Sequence, residues 1–218
     1  MTDYTLIILG SYSIGIAAII GLVRLRNIHA SYRPFILIIT MSLVVEIISH
    51  ILIYFKKSNA IAVNVFGLIE GLLWLRQFRK WNTTKDQVLP LKYASILITS
   101  IWIIENIIAG KLFSFSSVYA ILFSFMVIFY SINQMNRQLT EEKGNLFTNA
   151  RFLICCGTII FFTYRILVEC FFLLDLQKSA SFFAHVFIIL AFVNLIVNLL
   201  FAIATLWIPA RQKFSFPY

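Results

Sequence analysis

Seven runs of about 20 mainly apolar residues dominate this chain, each long enough as a helix to cross the hydrocarbon core of a bilayer. They lie at roughly residues 4–25, 34–55, 60–80, 91–110, 114–135, 150–174 and 182–207. In lipid every backbone amide needs a partner within the protein, so runs of this length fold as helices. Composition agrees: of 218 residues 61% are hydrophobic and 12% charged, too few charges to cover a soluble domain. The chain therefore reads as all-α, a single seven-helix transmembrane domain over residues 1–218. No cleavable signal peptide is expected, because Met1 to Thr5 lacks a basic region and the first apolar run is of spanning length.

Short connections make sequence neighbours antiparallel neighbours in the bundle. The longest polar stretches are Trp81 to Pro90 and Asn136 to Asn149, both read as loops. A net charge of +9 in a soluble protein suggests nucleic acid, but here the charge is distributed by side. Arg24, Arg26, Arg33, Arg76, Arg79, Lys80, Lys85, Lys92, Arg137, Lys143, Arg151, Arg211 and Lys213 fall on one side. Only Lys56, Lys57, Lys111 and Lys178 fall on the other, and Arg165 lies inside a span. Thirteen against four predicts an outside N-terminus and a cytoplasmic C-terminus, as in a multi-pass protein of the bacterial inner membrane. The expected partners are the lipid bilayer, a small or amphiphilic ligand and a cytoplasmic protein, with no nucleic acid. A faint echo between Leu72–Phe78 and Thr205–Phe214 is explained equally well by an aromatic and basic border.

Ionisable groups within spans are expensive and mark function or networks. Four of the nine acids, Glu46, Glu70, Glu105 and Glu169, lie within spans. Helical spacing puts Ser42, Glu46, Ser49 and His50 on one face of the second span. In the fourth span Ser95, Thr99, Trp102 and Asn106 form a stripe with Glu105 at its edge. The fifth repeats serine at Ser117, Ser124 and Ser131. Thr158, Arg165 and Glu169 share a face of the sixth, and Asn194, Asn198 and Thr205 a face of the seventh. Such one-sided stripes predict that the polar faces meet each other. The candidates for ligand binding or proton relay are Glu46, His50, Glu70, Glu105, Asn106, Arg165 and Glu169. Their depths lean toward the outer face, which predicts a funnel open outside and closed below by apolar packing, between spans 2, 3, 4 and 6.

Each candidate has a plainer reading. Arg165 and Glu169, at i and i+4, would neutralise one another within a helix. Asn194 and Asn198 would serve helix packing through hydrogen bonds. His50 would sit among headgroups, and His185 lies on the face opposite Asn194. Glu70, central in its span between Gly67 and Gly71, resists such a reading. Cys155, Cys156 and Cys170 share one helix, cannot pair in the ordinary way and read as small apolar filler. No zinc spacing occurs, and no metal or cofactor is expected.

Several chemistries lack their residues. The seventh span has no lysine for a retinal Schiff base, and no Pro-Gln pair marks a PQ-loop or SWEET-like transporter. Zincin, Gly-x-Ser-x-Gly and Asp-rich diphosphate motifs are absent, so a known type of membrane enzyme has no motif support. Ile69-Glu70, the run Asn149-Ala150-Arg151-Phe152 leading to Gly157 and Tyr164, and Asn198 through Ala204 with Trp207 carry one resemblance. Through them the chain resembles a loose group of small bacterial seven-helix inner-membrane proteins to which no activity is assigned. That resemblance implies the seven-span plan and little else. Three functions fit: a receptor-like or sensory protein binding a small or amphiphilic ligand, a small solute or proton-coupled carrier, or an enzyme using a buried Glu as acid on a lipid-soluble substrate. The receptor-like reading is favoured, because the polar stripe leans to one side and no second half of a pathway is visible.

Overall fold

The structure, a computed structural model, describes residues 3–56, 58–82, 85–141, 145–174 and 180–210. The His185 side chain and the topology residues Lys57, Lys143, Lys178, Arg211 and Lys213 lie outside the described set. Among the described residues, seven helical spans are long and apolar enough to cross a membrane. This is the architecture of a multi-pass membrane protein.

The first span comprises α1 (Asp3–Tyr12) and α2 (Ile14–Arg24). The others are α3 (Arg33–Lys56), α4 (Ala60–Trp81), α5 (Lys85–Ile103), α6 (Ser117–Glu141), α7 (Ala150–Leu173) and α8 (Ala180–Trp207). Large apolar side chains cover the outside: Val23, Tyr54, Phe129 and Ile108 are all exposed, as suits a surface that faces hydrocarbon.

Contacts between elements order the bundle as a ring, in which α1–α2 lies beside α3 and α8, α8 beside α7, α7 beside α6, and α4 between α6 and α3. The helix α5 packs from outside against α4 and α6 and is the least buried of the spans. Small residues set the closest approaches. A Cβ at Gly10 would lie 2.6 Å from the carbonyl oxygen of Ala191, so α1 and α8 touch backbone to backbone. A Cβ at Gly71 would lie 2.9 Å from the Tyr119 hydroxyl, on the α4 face toward α6.

Two spans are interrupted. The first breaks at Ser13, whose hydroxyl donates to the Gly10 carbonyl at 2.6 Å. Asn198 of α8 donates to that carbonyl at 3.2 Å and to Ser13 Oγ at 2.8 Å, so a side chain satisfies the broken ladder. The fourth span ends in a π-helical turn, Ile104–Ile108, closed by Gly110 in the left-handed region at φ 71°.

Both long polar stretches are shorter as loops than expected. α5 starts at Lys85 and contains Pro90 just past its first turn, where the ring removes the amide that would donate to the Asp86 carbonyl. α6 runs on to Glu141 because its polar end is engaged: Gln134 and Arg137 both donate to Asn82 Oδ1, at 2.5 and 2.8 Å. At the same end Arg24 donates to the carbonyls of Thr205, Leu206 and Ile208, capping the C-terminus of α8 with a cation.

Candidate functional site

A partly open cavity of about 240 Å³ lies among α1, α2, α3, α4, α7 and α8. Along α4 the lining residues Val63, Phe66, Glu70 and Trp74 recur at helical spacing, which gives that helix a cavity face distinct from its glycine face toward α6. α3 contributes Ser42, Glu46 and Ser49, α7 contributes Phe162 and Arg165, and α8 contributes Asn194 and Asn198. Asn59, at the α3–α4 connection, marks the end of the bundle toward which the cavity extends.

The other end is sealed by rings. Trp74 stacks on Phe78 and meets Phe35 and Phe162 at centroid distances of 5.8 to 6.3 Å, and Phe35 meets Phe201 at 5.3 Å. Phe35, Phe78, Phe162 and Trp74 are all buried. Beneath them the fully buried Gln77 accepts from the Phe35 amide at 2.8 Å and donates to the Ser31 carbonyl at 2.7 Å, tying α4 to the start of α3. The aromatic layer is thus a fixed floor.

Arg165 reaches from α7 to α4 and donates to Glu70 Oε2 at 2.8 Å, with both side chains largely buried. Its guanidinium also lies over the rings of Phe123 and Phe162, at 6.0 and 5.8 Å. This corrects the expectation of a pair within α7: the partner of Arg165 is Glu70, because Arg165 sits where α7 faces the centre of α4. Glu169 instead borders a second, water-sized void with Arg165 and Tyr119. Its Oε2 is buried and has no hydrogen-bond partner among the described residues.

Glu46 faces the cavity from α3 with about a third of its side chain exposed. His50 Nδ1 lies 3.9 Å from its Oε1, and the imidazole rests against Tyr12 at 5.3 Å. His50 does not line the cavity. Two residues of the cavity wall carry polar atoms with no hydrogen-bond partner among the described residues, the indole nitrogen of Trp74 and the Oδ1 of Asn194, both buried in the wall and not exposed to the space itself. Unpaired buried polar groups of this kind are costly.

The expectation that carboxylates of four helices share one hollow is corrected. Glu105 and Asn106 lie away from the cavity, because α5 packs outside the ring and its π turn directs them toward α6. Glu105 accepts from the amides of Val118 and Tyr119, at 3.3 and 2.6 Å, and pairs with Lys111 at 3.5 Å, which caps the start of α6. Asn106 accepts from Ser116 Oγ at 2.6 Å and donates to the Trp102 carbonyl. The stripes of spans 4 and 5 do not meet the others either. Ser95, Thr99 and Ser124, like Thr158 and Thr205, donate to carbonyls four residues back in their own helices.

Sequence reasoning placed Asn64 near the outer surface but missed its role, and it missed Trp74 and the break at Ser13. Asn64 donates to the carbonyls of Lys111, Leu112 and Ser114 and so anchors the α5–α6 connection to α4. The spacing of Glu70 and Trp74, one helical turn apart, could have pointed to the indole. The run Gly10-Ser11-Tyr12-Ser13-Ile14-Gly15, small and polar within an apolar span, was the signal for its break. The cysteines are free thiols, Cys155 buried and Cys156 Sγ 3.8 Å from Met135 Sδ. Comparison with protein-family models, curated proteins and solved structures gives no match.

Proposed function

We propose that this protein is a receptor-like membrane protein that binds a small amphiphilic ligand in the cavity among its first, second, third, sixth and seventh spans. One observation carries this reading: a 240 Å³ space with mainly apolar walls is lined by Ser42, Glu46, Glu70 and Arg165 and is closed at one end by an aromatic floor. Apolar walls with a few placed polar groups are the usual composition of a small-molecule site. The sequence bias in Lys and Arg supports an outside N-terminus in a bacterial inner membrane, with the cavity extending toward the outside. On this reading the basic inner end, with its polar cleft of about 520 Å³ bordered by His29, Asn149 and Arg151, meets a cytoplasmic partner. Signalling requires that the ligand bind two helix packings unequally.

The test uses protein in phosphatidylcholine nanodiscs and three probes of one skeleton: 3-phenylpropylamine, 3-phenylpropanol and 3-phenylpropanoate. Saturable thermal stabilisation by at least one, abolished by Ser42→Phe, which fills the cavity, is expected. Stabilisation by none, or stabilisation that Ser42→Phe leaves intact, would contradict the proposal.

A carrier is the second reading, supported by the break in the first span beside the cavity, since interrupted helices border the sites of many transporters. Uptake of a probe into proteoliposomes distinguishes it, because a receptor accumulates nothing.

A further inference from the structure

We infer that the cavity takes a ligand with a cationic nitrogen head on an apolar body, an inference that rests on the binding reading above. The first argument is charge. Glu70 is neutralised by Arg165 at 2.8 Å, whereas Glu46 faces the cavity and among the described residues pairs only with His50, a partner that counts as a cation only when protonated. Behind Arg165, Glu169 adds a third carboxyl group with a buried oxygen lacking a partner. Among the described side chains here, three carboxyl groups thus share one guanidinium. In a low-dielectric interior such an excess favours a cation and disfavours an anion.

The second argument is hydrogen bonding. Glu46 lines the space with its carboxyl group, and the Ser42 hydroxyl, whose proton goes to the Ile38 carbonyl, lines it with an oxygen left to accept, so both suit an ammonium N–H. The third is shape. Phe66, Trp74, Phe162 and Phe201 line the space and suit an apolar body, while aromatic faces also attract cations. A cavity of about 150 Å³ holds benzene, so 240 Å³ suits a ligand of roughly ten heavy atoms.

The same three probes, each with ten heavy atoms or close to it, decide the matter by titration against wild type, Glu46→Gln and Ser42→Phe in phosphatidylcholine nanodiscs. Among the described residues the Glu46 side chain pairs only with His50, one turn away on its own helix, so Glu46→Gln should unfold at the wild-type temperature without ligand. 3-Phenylpropylamine should bind at least tenfold more tightly than 3-phenylpropanol, and 3-phenylpropanoate should not bind. Glu46→Gln should reduce the amine to the affinity of the alcohol. Alcohol or acid binding as tightly as the amine, sensitive to Ser42→Phe, would overturn the cationic assignment and leave the binding site standing. So would amine binding unchanged in Glu46→Gln. Failure of all three probes would remove both readings.

Discussion

Breaking the Glu70–Arg165 pair should destabilise the protein asymmetrically. The contact is 2.8 Å, with side-chain exposures of 7% for Glu70 and 18% for Arg165. Removing one partner of a buried pair costs about 3–5 kcal/mol, because the other is left uncompensated. In Glu70→Leu the orphan is a guanidinium, which cannot shed its proton. The rings of Phe123 and Phe162 remain beneath it and offset about 1 kcal/mol, so a loss of about 3 kcal/mol is expected. In Arg165→Met the orphan is a carboxylate, which can take up a proton instead of remaining charged, and the loss should be smaller. The double variant Glu70→Leu, Arg165→Met replaces the pair by apolar groups and should lie within about 1 kcal/mol of wild type, or above it. Reversible unfolding in mixed micelles of increasing dodecyl sulfate content reads all four corners of the cycle. A coupling energy under about 1 kcal/mol, or an arginine variant less stable than the glutamate variant, would refute the reasoning.

Other variants separate scaffold from site. Glu105→Ala should lower stability by about 0.5–2 kcal/mol through loss of the α6 cap while leaving probe affinity unchanged; altered affinity would contradict its placement outside the cavity. Gly10→Ala should be more damaging than Gly71→Ala in the same unfolding assay. The added methyl meets the Ala191 backbone in one case and side-chain tips of Tyr119 and Ile98 in the other, so equal losses would contradict the packing described. Asn198→Leu should cost about 1 kcal/mol, two membrane hydrogen bonds of about 0.6 kcal/mol each. No measurable change would mean that Asn198 does not satisfy the break at Ser13.

The spans were legible in the sequence because hydrocarbon imposes one length and one hydrogen-bonding solution on any crossing segment. Glu70 was legible too, as a charge centred between two glycines that admit a close neighbour. Which polar faces meet was not, because periodicity fixes a face on its own helix and says nothing of the order of helices around the bundle. Glu105 has the same sequence character as Glu46, yet α5 lies outside the ring and Glu105 caps α6. The partner of Arg165 was hidden for a related reason: Glu169 is near in sequence, but α4 presents Glu70 across the interface. Trp74 was passed over because an indole in a span reads as apolar bulk until its nitrogen is found without an acceptor.

The most direct test of the account is chemical access to the cavity wall. In a background with Cys155, Cys156 and Cys170 replaced by alanine, single cysteines at Ser42, Ser49 and Ser124 would be exposed in intact cells to a small, membrane-impermeant, cationic methanethiosulfonate. Ser42→Cys and Ser49→Cys should react from the outside and be protected by 3-phenylpropylamine, while Ser124→Cys, buried on α6 away from the cavity, should not react. Silence at both positions 42 and 49, or reaction at 124 to the same extent, would contradict a hollow reached from that face.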